Sequence, residues 1–185
     1  MANLLYPNGP LSRHLIDHGI LNAGDLQTYI GALPYGRNAD RAKPELVLSE
    51  KMGTCSSKHA LVKMVAMEQN WSHVELILGI YKMNEDNTPG IGNALHVEGL
   101  DYLPEAHCYL NWAGKRLDLT FPGETGFGLE GDLLHEEKIL PFQVAVYKVE
   151  RHQEFIENWI EAQGISFSPE EIWDIREGCI RRLSK

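Results

Sequence analysis

Cysteine is scarce in this chain: three in 185 residues, an odd number at unrelated spacings and with no C-x-x-C pair. A disulfide framework and a zinc ribbon are both excluded by that pattern, and a reducing compartment is the simpler setting. Basic runs are equally rare, the longest being Arg181-Arg182, and 17 Lys and Arg against 26 Asp and Glu leave a formal charge of −9. A surface that neutralises phosphates needs the opposite balance, so nucleic acid and other polyanions are disfavoured partners. No segment approaches the roughly 18 apolar residues of a membrane helix. The opening Met1-Ala2-Asn3-Leu4-Leu5-Tyr6-Pro7 also lacks the basic flank and apolar core of a secretory signal. The expectation is a soluble, cytoplasmic protein with no membrane partner.

What is present suits a single α+β domain over residues 1–185, with 43% hydrophobic residues to build its core. The core is expected over about 25–148, with C-terminal helices over about 150–184. Leu11 to Tyr35 reads as mostly helical, capped at Asn22 or Asp25 and stopped at Leu33-Pro34-Tyr35-Gly36. From Cys55 to about Gln69 nearly every position after the first turn is apolar or small, the mark of a central, buried helix. Val74 to Tyr81 reads as a strand, Glu85 to Asn93 as a loop, Gly123 to Gly131 as a Gly-rich stretch and Pro141 to Tyr147 as a further strand. Two helices close the chain: Arg151 to Gln163, stopped by Gly164, and one opened by Ser168-Pro169-Glu170-Glu171 with its cap, proline and capping-box glutamate.

Chemistry concentrates at Cys55, where Met52-Gly53-Thr54 runs straight into the central helical pattern. A thiol on the first helical turn meets unpaired backbone N–H groups and the positive end of the helix dipole. Both lower a cysteine pKa and make it nucleophilic, and the N–H of Cys55 is also placed to meet a developing oxyanion.

Glu105 to Thr120 supplies the second half. Two alternating runs meet at Ala113-Gly114, which predicts a hairpin with Cys108, Leu110, Trp112, Leu117, Leu119 and Phe121 on an apolar face. His107, Tyr109, Asn111, Arg116, Asp118 and Thr120 share the other, chemical face. A two-residue turn at Ala113-Gly114 or Trp112-Ala113 sets Asp118 opposite Tyr109 or His107, so His107 and Asp118 are diagonal or direct neighbours. A three-residue loop would set the carboxylate opposite Cys108, among Leu and Trp, where an unpaired charge is expensive.

Nucleophile, base and orienting acid are thus Cys55, His107 and Asp118. Gly53-Thr54-Cys55 at a helix start, Glu105-Ala106-His107 on a strand and Leu117-Asp118-Leu119-Thr120 on the next resemble the transglutaminase-like superfamily of the papain-like fold. The resemblance covers roughly Asp25 to Phe121. It implies an antiparallel sheet with the nucleophile helix packed on it, and a thiol hydrolase or acyltransferase acting on an amide or other acyl bond through a Cys55 thioester. Tyr109 and Trp112 only loosely fill the family's aromatic positions, and no side chain just before Cys55 is an obvious oxyanion donor.

The substrate class is a peptide, a protein or a small amide or acyl compound, with no cofactor and no metal required. The loop residues Tyr35, Arg37 and Asn38 are candidates for a substrate wall. The competing function is a non-catalytic module of the same fold that binds a peptide or partner.

Other chemistry-bearing residues have plainer readings. His59 is a rival base four residues after Cys55, but it sits in a buried helix with no acid expected to orient it, and reads as a core histidine. Cys108 and Cys179 read as packing residues. His14 and His18 lack a third ligand and read as a helix face, and Asn84-Glu85-Asp86-Asn87 reads as a polar turn, not a calcium loop.

Overall fold

The computed structural model describes residues 3–97, 99–120 and 128–183. In chain order its elements are α1 (Pro10–Asp17), α2 (Ala23–Ala32), α3 (Leu46–Glu50), α4 (Cys55–Glu68), β1 (Val74–Met83), α5 (Gly92–Val97), β2 (Leu103–Trp112), β3 (Lys115–Leu117), β4 (Leu133–Ile139), a 3-10 turn (Pro141–Val144), α6 (Val146–Gln163) and α7 (Pro169–Leu183). The fold is mixed α+β, with one four-stranded antiparallel sheet in the order β3-β2-β1-β4. Backbone contacts divide the chain into two compact units.

The first unit comprises Met1–Ile77, Cys108–Phe127 and Lys138–Ala145. Its axis is α4, where Ala60, Leu61, Val62, Val65 and Ala66 are all fully buried. A helix apolar on most sides needs neighbours on most sides, and α1, α2, α3 and the 3-10 turn all pack on it. The stretch Leu11 to Tyr35, expected to be mostly helical, is two helices: Gly19 turns the chain at φ +81°, and Asn22, one of the two expected caps, restarts it by accepting from the Asp25 N–H at 3.0 Å. Glu68, at the end of α4, accepts from the Leu11 and Ser12 N–H groups at 3.0 and 2.7 Å and so caps α1 from outside.

The hairpin register is Leu110↔Leu117, Asn111↔Arg116 and Trp112↔Lys115, which leaves Ala113-Gly114 as a two-residue turn. Both turn residues have positive φ, +52° and +84°, as a type I′ turn requires. The expected division into one apolar and one chemical face is corrected by the burial of β2. Cys108, Tyr109 and Leu110 are all fully buried, because β2 lies between β3 and β1 and is covered on both sides. Phe121, assigned to the apolar face, lies outside the described residues, as does the Gly-rich stretch up to residue 127.

The second unit comprises Leu78–His107, Gly128–Glu137 and Val146–Lys185. Its core gathers Met83, Leu103, Ile156, Trp159, Ile172 and Cys179, with α5 and α6 packed on α7. Gly164 ends α6 at φ +62°, and Ser168 and Glu171 exchange capping bonds at the start of α7.

Two readings are corrected here. Pro141 to Tyr147 is not a strand: Pro141 opens the 3-10 turn, whose Gln143 side chain accepts from the Leu140 N–H at 2.7 Å, and α6 begins at Val146. The strand lies earlier, at β4, which carries His135, Glu136, Glu137 and Lys138 because it is an edge. Glu85 to Asn93 is a loop only in part: Asn84 holds the N–H groups of Asp86 and Asn87 in a turn, and α5 follows at Gly92.

Inside the second unit Glu105 is 6% exposed and takes a two-pronged bond from Arg176, at 2.7 and 2.6 Å. Burial works to raise its carboxyl pKa, but the Arg176 charge and hydrogen bonds outweigh that and hold it at about 2, against 4.5 ordinarily. His152, 2% exposed, donates from Nε2 to the Pro104 carbonyl at 2.8 Å, and burial holds its pKa down despite the nearby carboxylate. A carboxyl whose folded pKa lies below its unfolded value lends stability that is complete above about pH 4.5 and is lost as pH falls toward 2. Arg176→Met, which strands the carboxylate, should cost about 3–5 kcal/mol at neutral pH. Urea unfolding across that acid window should show a steep loss in the parent protein, and Glu105→Gln should flatten it.

Candidate functional site

Cys55 opens α4, and the turn before it is built by a reciprocal cap. The Thr54 N–H donates to Ser57 Oγ at 3.0 Å, and the Ser57 N–H donates to Thr54 Oγ1 at 3.3 Å. Cys55 is buried, at 8% exposure, and its sulfur lies 3.8 Å from Ser56 Oγ. Gly53 is required by close approach: a Cβ there would lie 2.9 Å from Lys58 Cγ, Ser57 Oγ and Val47 Cγ2.

The loop with Tyr35, Arg37 and Asn38 lies against this turn. Tyr35 pairs with Gly53 in a parallel bridge, and the Gly53 N–H donates to the Pro34 carbonyl at 3.2 Å. Asn38 spends its amide N–H₂ on Glu50 Oε2 and the Met52 carbonyl, at 2.8 and 3.0 Å, so it braces the loop. Arg37 is exposed. An apolar groove of about 390 Å³ in the same unit is lined by Met64, Met67 and Phe142, toward the other end of α4.

Asp118 falls just past β3, which ends at Leu117, so its expected place within a strand is corrected. The backbone there finds partners other than a ladder. Asp118 Oδ1 accepts from the Thr120 N–H at 2.9 Å and from the Thr120 hydroxyl, closing a local turn. The Leu119 N–H donates to His59 Nε2 at 2.7 Å. The Leu119 and Thr120 carbonyls accept from Lys58 Nζ at 3.1 and 2.7 Å, and a third acceptor, the Leu33 carbonyl at the end of α2, lies 2.6 Å from the same nitrogen.

His59 therefore has a defined state. Because Nε2 accepts from a backbone N–H, its proton sits on Nδ1, which donates to the Cys55 carbonyl at 2.7 Å. That agrees with a core histidine, but the expectation that no acid stands near it is corrected: Asp118 Oδ1 is 3.5 Å from Nε2. His107 belongs to the second unit. It is half-buried on β2, with its ring edge-on to Tyr81 at 6.1 Å. Cys108 and Cys179 are fully buried, and burial pushes the Cys179 thiol up.

Sequence reading passed over Lys58. It is fully buried, and burial pushes its pKa down to about 8, against the favourable charges of Asp118 and Cys55. The signal was available, since a lysine inside a helix read as buried on every side demands partners. No family model matches the chain, and no curated protein or solved structure matches it either.

Gly53→Ala tests the packing of this turn. The added methyl must displace the Lys58 stem or Val47, and the variant should lose about 1–3 kcal/mol of stability. Denaturant unfolding measures the loss, and an unchanged midpoint would contradict the close approach.

Proposed function

We propose that the protein is a thiol enzyme, a transglutaminase-like hydrolase or acyltransferase that acts on an amide or other acyl bond. The observation that carries this reading is the Cys55 turn: a thiol at the head of a buried 14-residue helix, with Lys58 in the same turn and the Asp118 segment bonded to it. In this mechanism His107 takes the thiol proton and the Cys55 sulfur attacks the substrate carbonyl. The tetrahedral oxyanion collapses, the C–N bond breaks, and His107 returns the proton to the leaving amine. Water or a second amine, deprotonated by His107, then attacks the thioester carbonyl; the C–S bond breaks, the acyl product leaves, and His107 returns the proton to the Cys55 sulfur. Asp118 orients the imidazole and supports its charge. Tyr35 and Arg37, beside the turn, contact the substrate, which is a peptide, protein or small acyl compound and not a nucleic acid or a membrane.

Three free cysteines fit a reducing, cytoplasmic setting. Among the described residues, no helix is long and apolar enough to cross a membrane. The competing reading, a binding module without catalysis, is favoured by the burial of Cys55, since an acyl carbonyl must reach its sulfur.

A panel of fluorogenic amides and thioesters, together with iodoacetamide labelling, separates the two. Cys55→Ala should abolish turnover and remove the labelled site, while Cys108→Ala and Cys179→Ala retain both. His107→Gln should cost roughly 10²–10⁴-fold in turnover. Asp118→Asn should shift labelling of Cys55 toward higher pH. A Cys55 that labels only in the ordinary thiol range, near pH 8.5, with no turnover on the panel, would favour the binding module.

A further inference from the structure

We infer that Lys58 is the positioning residue of the thiol site: its buried ammonium clamps the Asp118–Thr120 segment onto the first turn of α4 and stabilises the Cys55 thiolate. This rests on the reading of Cys55 as the nucleophile. Residues three apart on a helix are surface neighbours, so Cys55 and Lys58 stand on one face of the same turn. The three carbonyls that Lys58 meets match the three protons of an ammonium, and none of them carries charge. A fully buried cation held only by dipoles creates a field that favours an anion beside it.

The ionisable groups that answer this field are Asp118, from the segment after β3, and Cys55 itself. The remaining titratable groups on the packed elements are engaged elsewhere or face solvent. On α4, His59 bonds the Cys55 carbonyl and the Leu119 N–H. On α2, the Asp25 carboxylate accepts from the Leu21 N–H and the Asn22 amide at 3.0 and 2.8 Å, and Tyr29 meets Lys51, which α3 leaves at its C-terminal cap. On α3, Glu50 receives Asn38. On α1, Arg13, His14 and Asp17 are exposed, and the 3-10 turn carries no titratable side chain.

Electrostatic coupling of this kind is reciprocal, and the test uses both directions. The first measurement is the iodoacetamide rate at Cys55 against pH in the full-length parent and in Lys58→Met. Removing this buried cation should move the midpoint up by about one pH unit or more and slow labelling at neutral pH about tenfold. Lys58→Met strands three carbonyls and loses stability, so the second measurement leaves Lys58 in place. The Lys58 amine, observed by NMR with labelled lysine, should titrate lower in Cys55→Ser than in the parent, by the same amount. Matching shifts support the inference. A parent Cys55 that titrates low while neither variant shifts its partner overturns the role of Lys58 and leaves the thiol reading standing. A parent Cys55 that titrates as an ordinary thiol overturns both.

Discussion

One buried ammonium organises the first unit. Lys58 Nζ is bonded to carbonyls from the end of α2 and from both residues that follow Asp118, so three stretches of chain meet at one nitrogen. Hydrogen bonds to a charged donor are worth about 1.5–3 kcal/mol each, which offsets a desolvation cost of several kcal/mol for the ion. The geometry around it follows. A β-strand continued past Leu117 would need its carbonyls for a partner strand, and here Lys58 takes those of Leu119 and Thr120 while His59 takes the Leu119 N–H. The strand stops, and Asp118 folds its carboxylate onto Thr120. Gly53 is part of the same arrangement, because the stem of Lys58 runs through the space where a Cβ at position 53 would stand.

Local features with a short-range cause were legible in the sequence. The start of α4 follows from Thr54 and Ser57, the stop at Gly164 from its left-handed φ, and the cap of α7 from Ser168 and Glu171. Hairpin register was legible to within two choices, and Ala113-Gly114 decided it. Features decided by neighbours distant in sequence were not. The charged segment Leu133–Ile139 lacks the alternation that announces a strand, yet the open edge of the sheet beside β1 makes it one. Alternation along the hairpin predicted a polar face that the covering of β2 on both sides removes. Asp118 read as a strand residue because nothing local announces that Lys58 and His59, sixty residues earlier in order, will claim its neighbours' backbone.

The two units solve the problem of a buried charge in opposite ways. Glu105 meets Arg176 through two parallel bonds, and Arg176 also reaches Glu177 at 2.5 Å. Opposite charges close on each other there, the Glu105 carboxyl is held far from any titration near neutral pH, and the cluster ties β2 to α7. Such a pair has no charge left with which to influence a reaction.

Lys58 differs because its direct partners are neutral. Its pKa near 8 leaves it charged at neutral pH but close to titrating. The negative charge that would complete the site is supplied in part by Asp118 and in part by whatever Cys55 becomes. A fold that needed only a clamp here could use a neutral donor at lower desolvation cost. The retained ammonium makes sense if the turn must hold a negative sulfur. The case for chemistry at Cys55 therefore rests less on the helix dipole, worth a fraction of a kcal/mol to about 2 kcal/mol, than on the buried cation three residues along the same helix, whose direct hydrogen-bond partners are all neutral.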